Sequence, residues 1–204
     1  MNITKAQMDI LKELINIGVG NGADVLNTML NSHITLQVPS VEILQPEELK
    51  EWMKKHGTER LASVNMSFKK DFSGIAELVF PPESASKLVA MLIKEETKSI
   101  DLDSIHAGAL SEVGNIVLNA VIGSISNVLG LNLVYSVPVY TERDAGEPLL
   151  PNEMCFNTII ILAQTYFTVD SFEIQGNIIL VLEVGFFDKL LAAIDNSEVS
   201  VSRS

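Results

Sequence analysis

The sequence is poor in the residues that build covalent links and metal sites. It has one cysteine in 204 residues, Cys155, which excludes an intramolecular disulfide and any cluster of thiolate ligands. Its three histidines, His33, His56 and His106, lie far apart along the chain and form no H-x-x-x-H pair. The sequence therefore predicts no metal site of the protein's own. Because Cys155 falls in an apolar stretch, we expect a buried and unreactive thiol.

Basic residues are scarce as well. The chain has 14 Lys and Arg against 26 Asp and Glu, a formal net charge of −12, and no block of basic residues that would favour nucleic acid. The N-terminus lacks the basic and apolar regions of a signal peptide. Uncharged apolar runs such as TIIILA are much shorter than the about 20 residues of a membrane helix. These absences predict a cytoplasmic protein that binds neither nucleic acid nor membrane, with 47% hydrophobic residues to fill a core.

A glycine-rich stretch, LINIGVGNGADVLN at Leu14–Asn27, suggests a first functional hypothesis. Gly18, Gly20, Gly22 and Ala23 fit the pattern G-x-G-x-x-A, which is the relaxed form of the dinucleotide-binding turn. Such a turn follows a strand and cradles a pyrophosphate. A nucleotide-binding enzyme is therefore one candidate function.

The residues around the glycines indicate a helix instead. Thr4 and Gln7 form a capping-box pair, and apolar residues then recur at steps of three and four through the glycines. This period is that of one helical face. We therefore expect one long helix near residues 5–31, and we expect the glycines to be packing residues at which another backbone comes close.

The two halves of the chain repeat with an offset of 99 residues. ELINI at Glu13–Ile17 recurs as EVGNI at Glu112–Ile116, and Pro39 recurs as Pro138. Further along, the matching segments drift to an offset of 102, which indicates a small insertion in the second half. Each half contains a long helix, a strand through the proline, an irregular connection, two longer strands and a closing helix.

This pattern predicts an α/β (α+β) fold of two pseudo-twofold-related halves, about 1–97 and 98–204, that form a single domain over residues 1–204. We expect a largely antiparallel sheet with the two repeated helices on one face. A loop is expected at 143–153, a linker at 94–103, and a hairpin turn at Asp170–Ser171. Helices are predicted near 5–31, 46–56, 83–95, 104–129 and 186–194, and strands near 34–44, 60–69, 73–80, 132–142, 154–168 and 172–184.

The repeat keeps a glutamate and an asparagine but not the glycines. Asp9, Glu13 and Asn16 fall at i, i+4 and i+7, and Glu112 and Asn115 repeat the pair. These spacings place the side chains along one helical stripe, where a carboxylate can pair with a cation and a carboxamide can orient a water. No serine, cysteine or histidine stands beside the pair to act as a nucleophile with its base. The pair alone offers too few oxygens for a metal.

The doubled motif resembles the CheC-type chemotaxis phosphatases of the CheC/CheX/FliY superfamily. Their signature is Asp/Ser-x3-Glu-x2-Asn-x22-Pro. The first half matches it in full, whereas the second half has Gly108 where aspartate or serine is expected. The resemblance covers essentially the whole chain, including the two-copy layout.

The resemblance implies a phosphatase that hydrolyses the aspartyl phosphate of a CheY-like response regulator in bacterial or archaeal chemotaxis. Asn16 and Asn115 would orient the attacking water. Glu13 and Glu112 would engage a lysine beside the phosphorylated aspartate, and Asp9 would support the first site or contact the partner. The chain would need no cofactor of its own, since the Mg²⁺ would belong to the response regulator.

The resemblance leaves a second function open, that of a regulatory binding module for the receptor deamidase CheD with little catalysis of its own. The acidic composition is compatible with both functions. Because the pseudo-twofold supplies an internal equivalent of a dimer, we expect a monomer.

Overall fold

The fold is described from a computed structural model. The structure describes residues 3–30, 33–56, 60–93, 102–144, 157–169 and 172–201. Several sequence-based predictions lie outside these residues. They concern Cys155, the turn at Asp170–Ser171, most of the linker, and the loop from residue 145 onward.

The described residues form five helices and seven strands. The helices are α1 (Lys5–Leu30), α2 (Pro46–His56), α3 (Pro82–Ile93), α4 (Leu102–Leu129) and α5 (Val184–Val201). The strands are β1 (Ile34–Leu44), β2 (Arg60–Lys70), β3 (Gly74–Phe80), β4 (Leu133–Tyr135), β5 (Val139–Asp144), β6 (Thr158–Val169) and β7 (Phe172–Glu183).

The predicted N-terminus of α1 is confirmed in detail. The backbone N–H of Thr4 donates to Oε1 of Gln7 over 2.9 Å, and the N–H of Gln7 donates to Oγ1 of Thr4 over 3.2 Å. These reciprocal bonds form a capping box, which satisfies donors that the first helical turn leaves free. The second repeated helix, α4, begins at Leu102, two residues before its predicted start at residue 104.

The second half departs from prediction at its first strand and its last helix. The strand expected over 132–142 is two pieces, β4 and β5, separated by residues 136–138. Pro138 lies in this gap, and a proline cannot donate to a strand ladder. The closing helix α5 runs to Val201, well beyond the expected end at residue 194.

All strand pairs of the sheet are antiparallel, and the halves exchange strands. The order is β1-β6-β7-β3-β2-β4, with β5 also paired to β2. Strand β1 of the first half therefore pairs with β6 of the second, and β4 and β5 pair with β2 of the first. The order is symmetric about the β7–β3 pair. The two-repeat organisation stays a prediction, but this exchange gives a physical reason why neither half would complete its own sheet.

The helices cover the sheet unequally. The main core lies between one sheet face and helices α1, α3, α4 and α5, and includes Leu11, Ile15, Val117 and Ile122. A smaller core on the other face joins α2 to the sheet through Leu49 and Met53. The prediction that the two motif helices share one face of a largely antiparallel sheet is therefore confirmed.

Two glycines of α1 allow a close helix–helix approach. A Cβ added at Gly18 would lie 2.6 Å from Cα of Val121 and 2.9 Å from the carbonyl oxygen of Ala120, and one added at Gly22 would lie 3.3 Å from Cα of Val117. The later residue of α1, Gly22, contacts the earlier residue of α4, Val117, so the two helices are antiparallel. The packing role that we expected from the sequence is confirmed at these two positions.

The middle glycine behaves differently. A Cβ added at Gly20 would meet nothing within 4 Å, so the expectation of close packing is wrong there. All three glycines lie inside α1, where their backbone N–H groups bond within the helix. A pyrophosphate needs free N–H groups at a helix start, and the dinucleotide-turn hypothesis is therefore wrong.

By length and composition alone, helix α4 is long and apolar enough to cross a membrane. Within its segment Ile105–Leu129, an 18-residue window has a mean hydropathy of 1.3, and 44% of that window is buried inside the fold. This is weak evidence for a membrane span, because the core helix of a globular protein has the same properties. Here Val113, Val117, Val121 and Ile125 belong to the main core.

A buried ion pair ties β5 to the sheet. Arg143, which we expected in a loop, lies in β5, and its guanidinium pairs with the carboxylate of Glu77 on β3. The hydroxyl of Ser63 on β2 donates to the same carboxylate. Burial raises the pKa of Glu77, and the Arg143 guanidinium and the Ser63 hydroxyl partly offset this. The carboxylate thus links three adjacent strands at a largely buried position.

The close contact between α1 and α4 predicts that two alanine substitutions have opposite effects on stability. We expect Gly18→Ala to lower the free energy of unfolding by about 1–3 kcal/mol, because the new methyl group meets the α4 backbone. Gly20→Ala should raise it by about 0.5–1 kcal/mol, because alanine favours the helix and meets nothing. Urea unfolding followed by circular dichroism measures both. Equal stabilisation by the two substitutions would show that the helices are not in close contact at Gly18.

The buried ion pair predicts a pH-dependent loss of stability. Arg143→Met leaves the Glu77 carboxylate buried without its cation, at a cost of about 3–5 kcal/mol near neutral pH. The pKa of Glu77 then rises further above its usual value, so the folded state binds a proton that the unfolded state releases. Stability is therefore retained at low pH and lost as the pH rises through the folded-state pKa.

The measurement is the urea midpoint of this variant at about pH 5 and about pH 7.5. We expect a smaller deficit relative to the parent protein at the lower pH. Arg60→Met is the matched control, since Arg60 and Glu142 pair over 3.0 Å with side chains 65% and 50% exposed. Exposed pairs contribute roughly 0–1 kcal/mol. A deficit for Arg143→Met that is equal at both pH values would contradict the assignment to Glu77.

Candidate functional site

The motif residues of the first half form a stripe along α1. Asp9 and Glu13 are exposed and Asn16 is half-buried. At 100° per residue, Asn16 lies roughly 200° around the helix from Gly18, which packs against α4. The stripe therefore faces away from α4, toward the sheet edge formed by β1. The structure brings the three predicted residues of this half together on one helical face.

Strand β1 holds the Asn16 carboxamide in place. The backbone N–H of Val38 donates to Oδ1 of Asn16 over 3.0 Å, and Nζ of Lys12 donates to the carbonyl of Pro39 over 2.5 Å. The register with β6 shifts between Gln37 and Ser40, so this part of β1 is irregular. The spacing of 23 residues between asparagine and proline thus joins the motif helix to an irregular point on the edge strand.

The bond to Val38 fixes which end of the Asn16 amide is presented. Only an acceptor can face a backbone N–H, so the carbonyl oxygen points at β1 and the NH₂ group points elsewhere. Within the described residues, the NH₂ group of Asn16 has no hydrogen-bond partner. The side chain can therefore offer two N–H donors in a direction that β1 has set.

The second half holds its asparagine by another route. Nδ2 of Asn119 donates to Oδ1 of Asn115 over 2.7 Å and to the backbone carbonyl of Asn115 over 2.8 Å. As in Asn16, the side-chain carbonyl oxygen of Asn115 accepts the hydrogen bond, and its NH₂ group takes no part in it. The bond comes from within α4, and no described strand residue donates to Asn115. Pro138 lies in the gap between β4 and β5, beside Val137, which is 81% exposed.

The second site lacks the outer carboxylate of the first. Glu112 is exposed, as Glu13 is, but the position of Asp9 is taken by Gly108. A Cβ added at Gly108 would meet nothing within 4 Å, so an open space stands there. The structure therefore brings together Glu112 and Asn115 in the second half without a third motif side chain.

The two sites open on opposite flanks of the helix pair. Asn115 lies roughly 200° around α4 from Val117, which contacts α1 at Gly22. It therefore faces away from α1, just as Asn16 faces away from α4. Because residue 117 of α4 lies opposite residue 22 of α1, the two asparagines are also about 12 Å apart along the helix axes. The sites are thus separate and do not share a cavity.

The chemistry open to these sites is limited. Asp9, Glu13 and Glu112 form no ion pair with any described basic residue, so each can meet a cation on a partner. Among the described residues, no three His, Cys, Asp or Glu side chains come together as a metal site. Each site offers an exposed glutamate and a fixed amide, and the first site adds the carboxylate of Asp9. These groups suit positioning another molecule's groups.

Sequence reasoning missed Lys12 and Asn119. Lys12 gives no signal in a single sequence, because a lysine on a helix is ordinary. Asn119 does give one, since it replaces Gly20 at the repeat offset of 99 residues and stands four residues after Asn115. That spacing places two carboxamides on neighbouring helical turns.

Comparison with known proteins agrees with the motif. Residues 7–43 match the model of the CheC-like family, a segment that contains the whole first motif. The chain is 25% identical to the CheY-P phosphatase CheC of Bacillus subtilis over 203 residues, which cover 96% of this chain and 97% of that protein.

Two further similarities concern FliY proteins. The chain is 22% identical to the flagellar motor switch phosphatase FliY of B. subtilis over 97% of its own length but only 51% of that protein, so it spans about half of that relative. The crystal structure of Thermotoga maritima FliY superposes with a TM-score of 0.74 at 17% identity, covering 96% of this chain and 99% of that one. The resemblance that the repeated motif indicated is thereby confirmed: the chain is similar to CheC-like proteins in its first motif and, at low identity, over nearly its whole length.

Proposed function

We propose that this protein is a phosphatase that dephosphorylates the aspartyl phosphate of a CheY-like response regulator. One observation carries the proposal: in both halves a helix presents an asparagine whose carbonyl oxygen is occupied and whose NH₂ group is left for another molecule. An exposed glutamate stands one turn before each. The phosphatase names of the CheC and FliY relatives support the same activity.

The reaction requires positioning of the reacting groups more than it requires covalent catalysis. A water attacks the phosphorus, the bond from phosphorus to the aspartate oxygen breaks, and the carboxylate leaves while the protons of the water end on inorganic phosphate and solvent. Phosphoryl transfer depends on positioning and on charge stabilisation. A fixed amide can donate to the attacking water or to a phosphoryl oxygen, which restricts the water to an in-line position. A hundredfold acceleration corresponds to about 2.7 kcal/mol, and good orientation can supply that amount.

The remaining groups of each site suit the partner. Glu13 and Glu112 would pair with the lysine beside the phosphorylated aspartate, and Asp9 would add a second carboxylate to the first site only. Ile17 follows Asn16 on α1 with 48% of its surface exposed and can supply apolar contact. The Mg²⁺ of the reaction would be held by the response regulator, and the protein would bring no cofactor.

The location, oligomeric state and further partner of the protein belong to the same proposal. We expect the protein to act in the cytoplasm as a monomer, since the internal repeat supplies both sites. A complex with the deamidase CheD remains an expectation from the superfamily. If the protein bound a deamidase tightly and left the phosphorylated receiver unchanged, a regulatory binding module would be the better description.

Removing both asparagines should abolish most of the activity. We expect Asn16→Ala/Asn115→Ala to lower the rate of receiver dephosphorylation by about 100-fold, to near the unassisted rate. The measurement is loss of ³²P from a phosphorylated CheY-like receiver with Mg²⁺. Asn127→Ala is the control, because Asn127 is exposed on α4 outside the motif. Wild-type hydrolysis by the double variant would refute the proposed chemistry, and the single variants rank the two sites.

A second substitution tests the donor role of the amide. Asn16→Asp has nearly the same shape and can still accept from the Val38 N–H, but it loses the two N–H donors and gains a negative charge. In the Asn115→Ala background we expect a loss as large as that of Asn16→Ala, with the urea midpoint almost unchanged. Retained hydrolysis by the aspartate variant would show that the NH₂ group is not what the reaction uses.

A further inference from the structure

Asn119 occupies a place that the first half leaves empty. It lies one helical turn after Asn115, and its repeat counterpart is Gly20, beyond which a Cβ would meet open space. Its Nδ2 reaches both the carbonyl oxygen of the Asn115 side chain, at 2.7 Å, and the Asn115 backbone carbonyl, at 2.8 Å. The backbone carbonyl can only accept, so Asn119 must present its NH₂ group to Asn115.

This contact decides the orientation of the Asn115 carboxamide. The terminal torsion of an asparagine is broad, so the amide turns easily unless a partner selects one face. In the first half, the Val38 N–H makes that selection for Asn16. In the second half the strand is broken around Pro138, and among the described residues Asn119 is the partner that selects the face of Asn115.

We propose that Asn119 is a positioning residue of the second site, which holds the Asn115 amide with its NH₂ group directed outward. This rests on the proposed function, since it assumes that Asn115 acts on the phosphorylated partner. The two sites thus reach the same amide orientation by different means. The first uses the backbone of another element, and the second uses a side chain on its own helix.

The inference predicts an effect confined to one site. With the first site disabled by Asn16→Ala, Asn119→Ala should lower kcat for receiver dephosphorylation about tenfold and change KM by less than about twofold, because binding groups stay while orientation is lost. With the second site disabled by Asn115→Ala, the same substitution should have no effect on either constant. Alanine is the better helix former, so α4 should not lose stability.

Two further variants separate orientation from a structural role. Asn119→Asp keeps the size of the side chain but can only accept, so it should turn the Asn115 amide around and lower kcat at least as much as alanine does. Asn127→Ala on the same helix should change neither constant. As a readout apart from activity, the side-chain NH₂ resonances of Asn115 in a ¹⁵N-edited NMR spectrum should shift on Asn119→Ala, and those of Asn16 should not.

The outcomes distinguish this inference from the proposed function. Wild-type hydrolysis by Asn16→Ala/Asn115→Ala would refute the function itself. A large loss in that double variant together with unchanged kcat on Asn119→Ala in the Asn16→Ala background would overturn only the role of Asn119. Absence of any hydrolysis by Asn16→Ala alone would also overturn it, because an oriented Asn115 should then be active. Unshifted Asn115 resonances would contradict the hydrogen bond.

Discussion

The contact between α1 and α4 is the constraint on which the rest of the architecture depends. Because Gly18 has no side chain, the backbone of α4 comes within 2.6 Å of where its Cβ would be. The two long helices therefore lie antiparallel in one layer, and each turns its motif stripe to the outer flank. Side chains of ordinary size at the contact would separate the helices and shift each motif stripe relative to the sheet. The glycines thus act on the sites through helix placement.

The sheet below these helices adds a second long-range condition. Strand β1 of the first half completes the edge beside β6, and β4 and β5 of the second half pair with β2, so the sheet is complete only when the whole chain has folded. At the β5 edge, the buried Glu77–Arg143 pair fixes the strand by charge as well as by backbone bonds. At the β1 edge, hydrogen bonds from side chains of α1 hold the strand in place. The two edges therefore differ physically, and so do the supports of the two motif asparagines.

Local features of the fold could be predicted from the sequence, and contacts between distant elements could not. The capping box of Thr4 and Gln7 and the helical period through the glycines depend only on residues close in sequence, and both were found in the structure. The offset of 99 residues was enough to identify the motif residues. The exchange of β1 into the other half's sheet depends on pairing across more than a hundred residues, which no local pattern encodes. The support of Asn16 depends on where β1 lies against α1, whereas that of Asn115 comes from Asn119 on its own helix.

The bond between Asn16 and Val38 has a consequence for the solubility of the molecule. Strand β1 is the outermost strand on its side of the sheet, and free backbone groups on such a strand can recruit strands of other chains. Side chains of α1 occupy backbone groups in the first part of β1: Asn27 bonds both the N–H and the carbonyl of Ile34, Asn16 accepts from Val38, and Lys12 donates to Pro39. Helix α1, which carries the first motif, thus also protects this edge of the sheet against aggregation. Under the proposed function, a single asparagine would serve both the reaction and the protection of the strand.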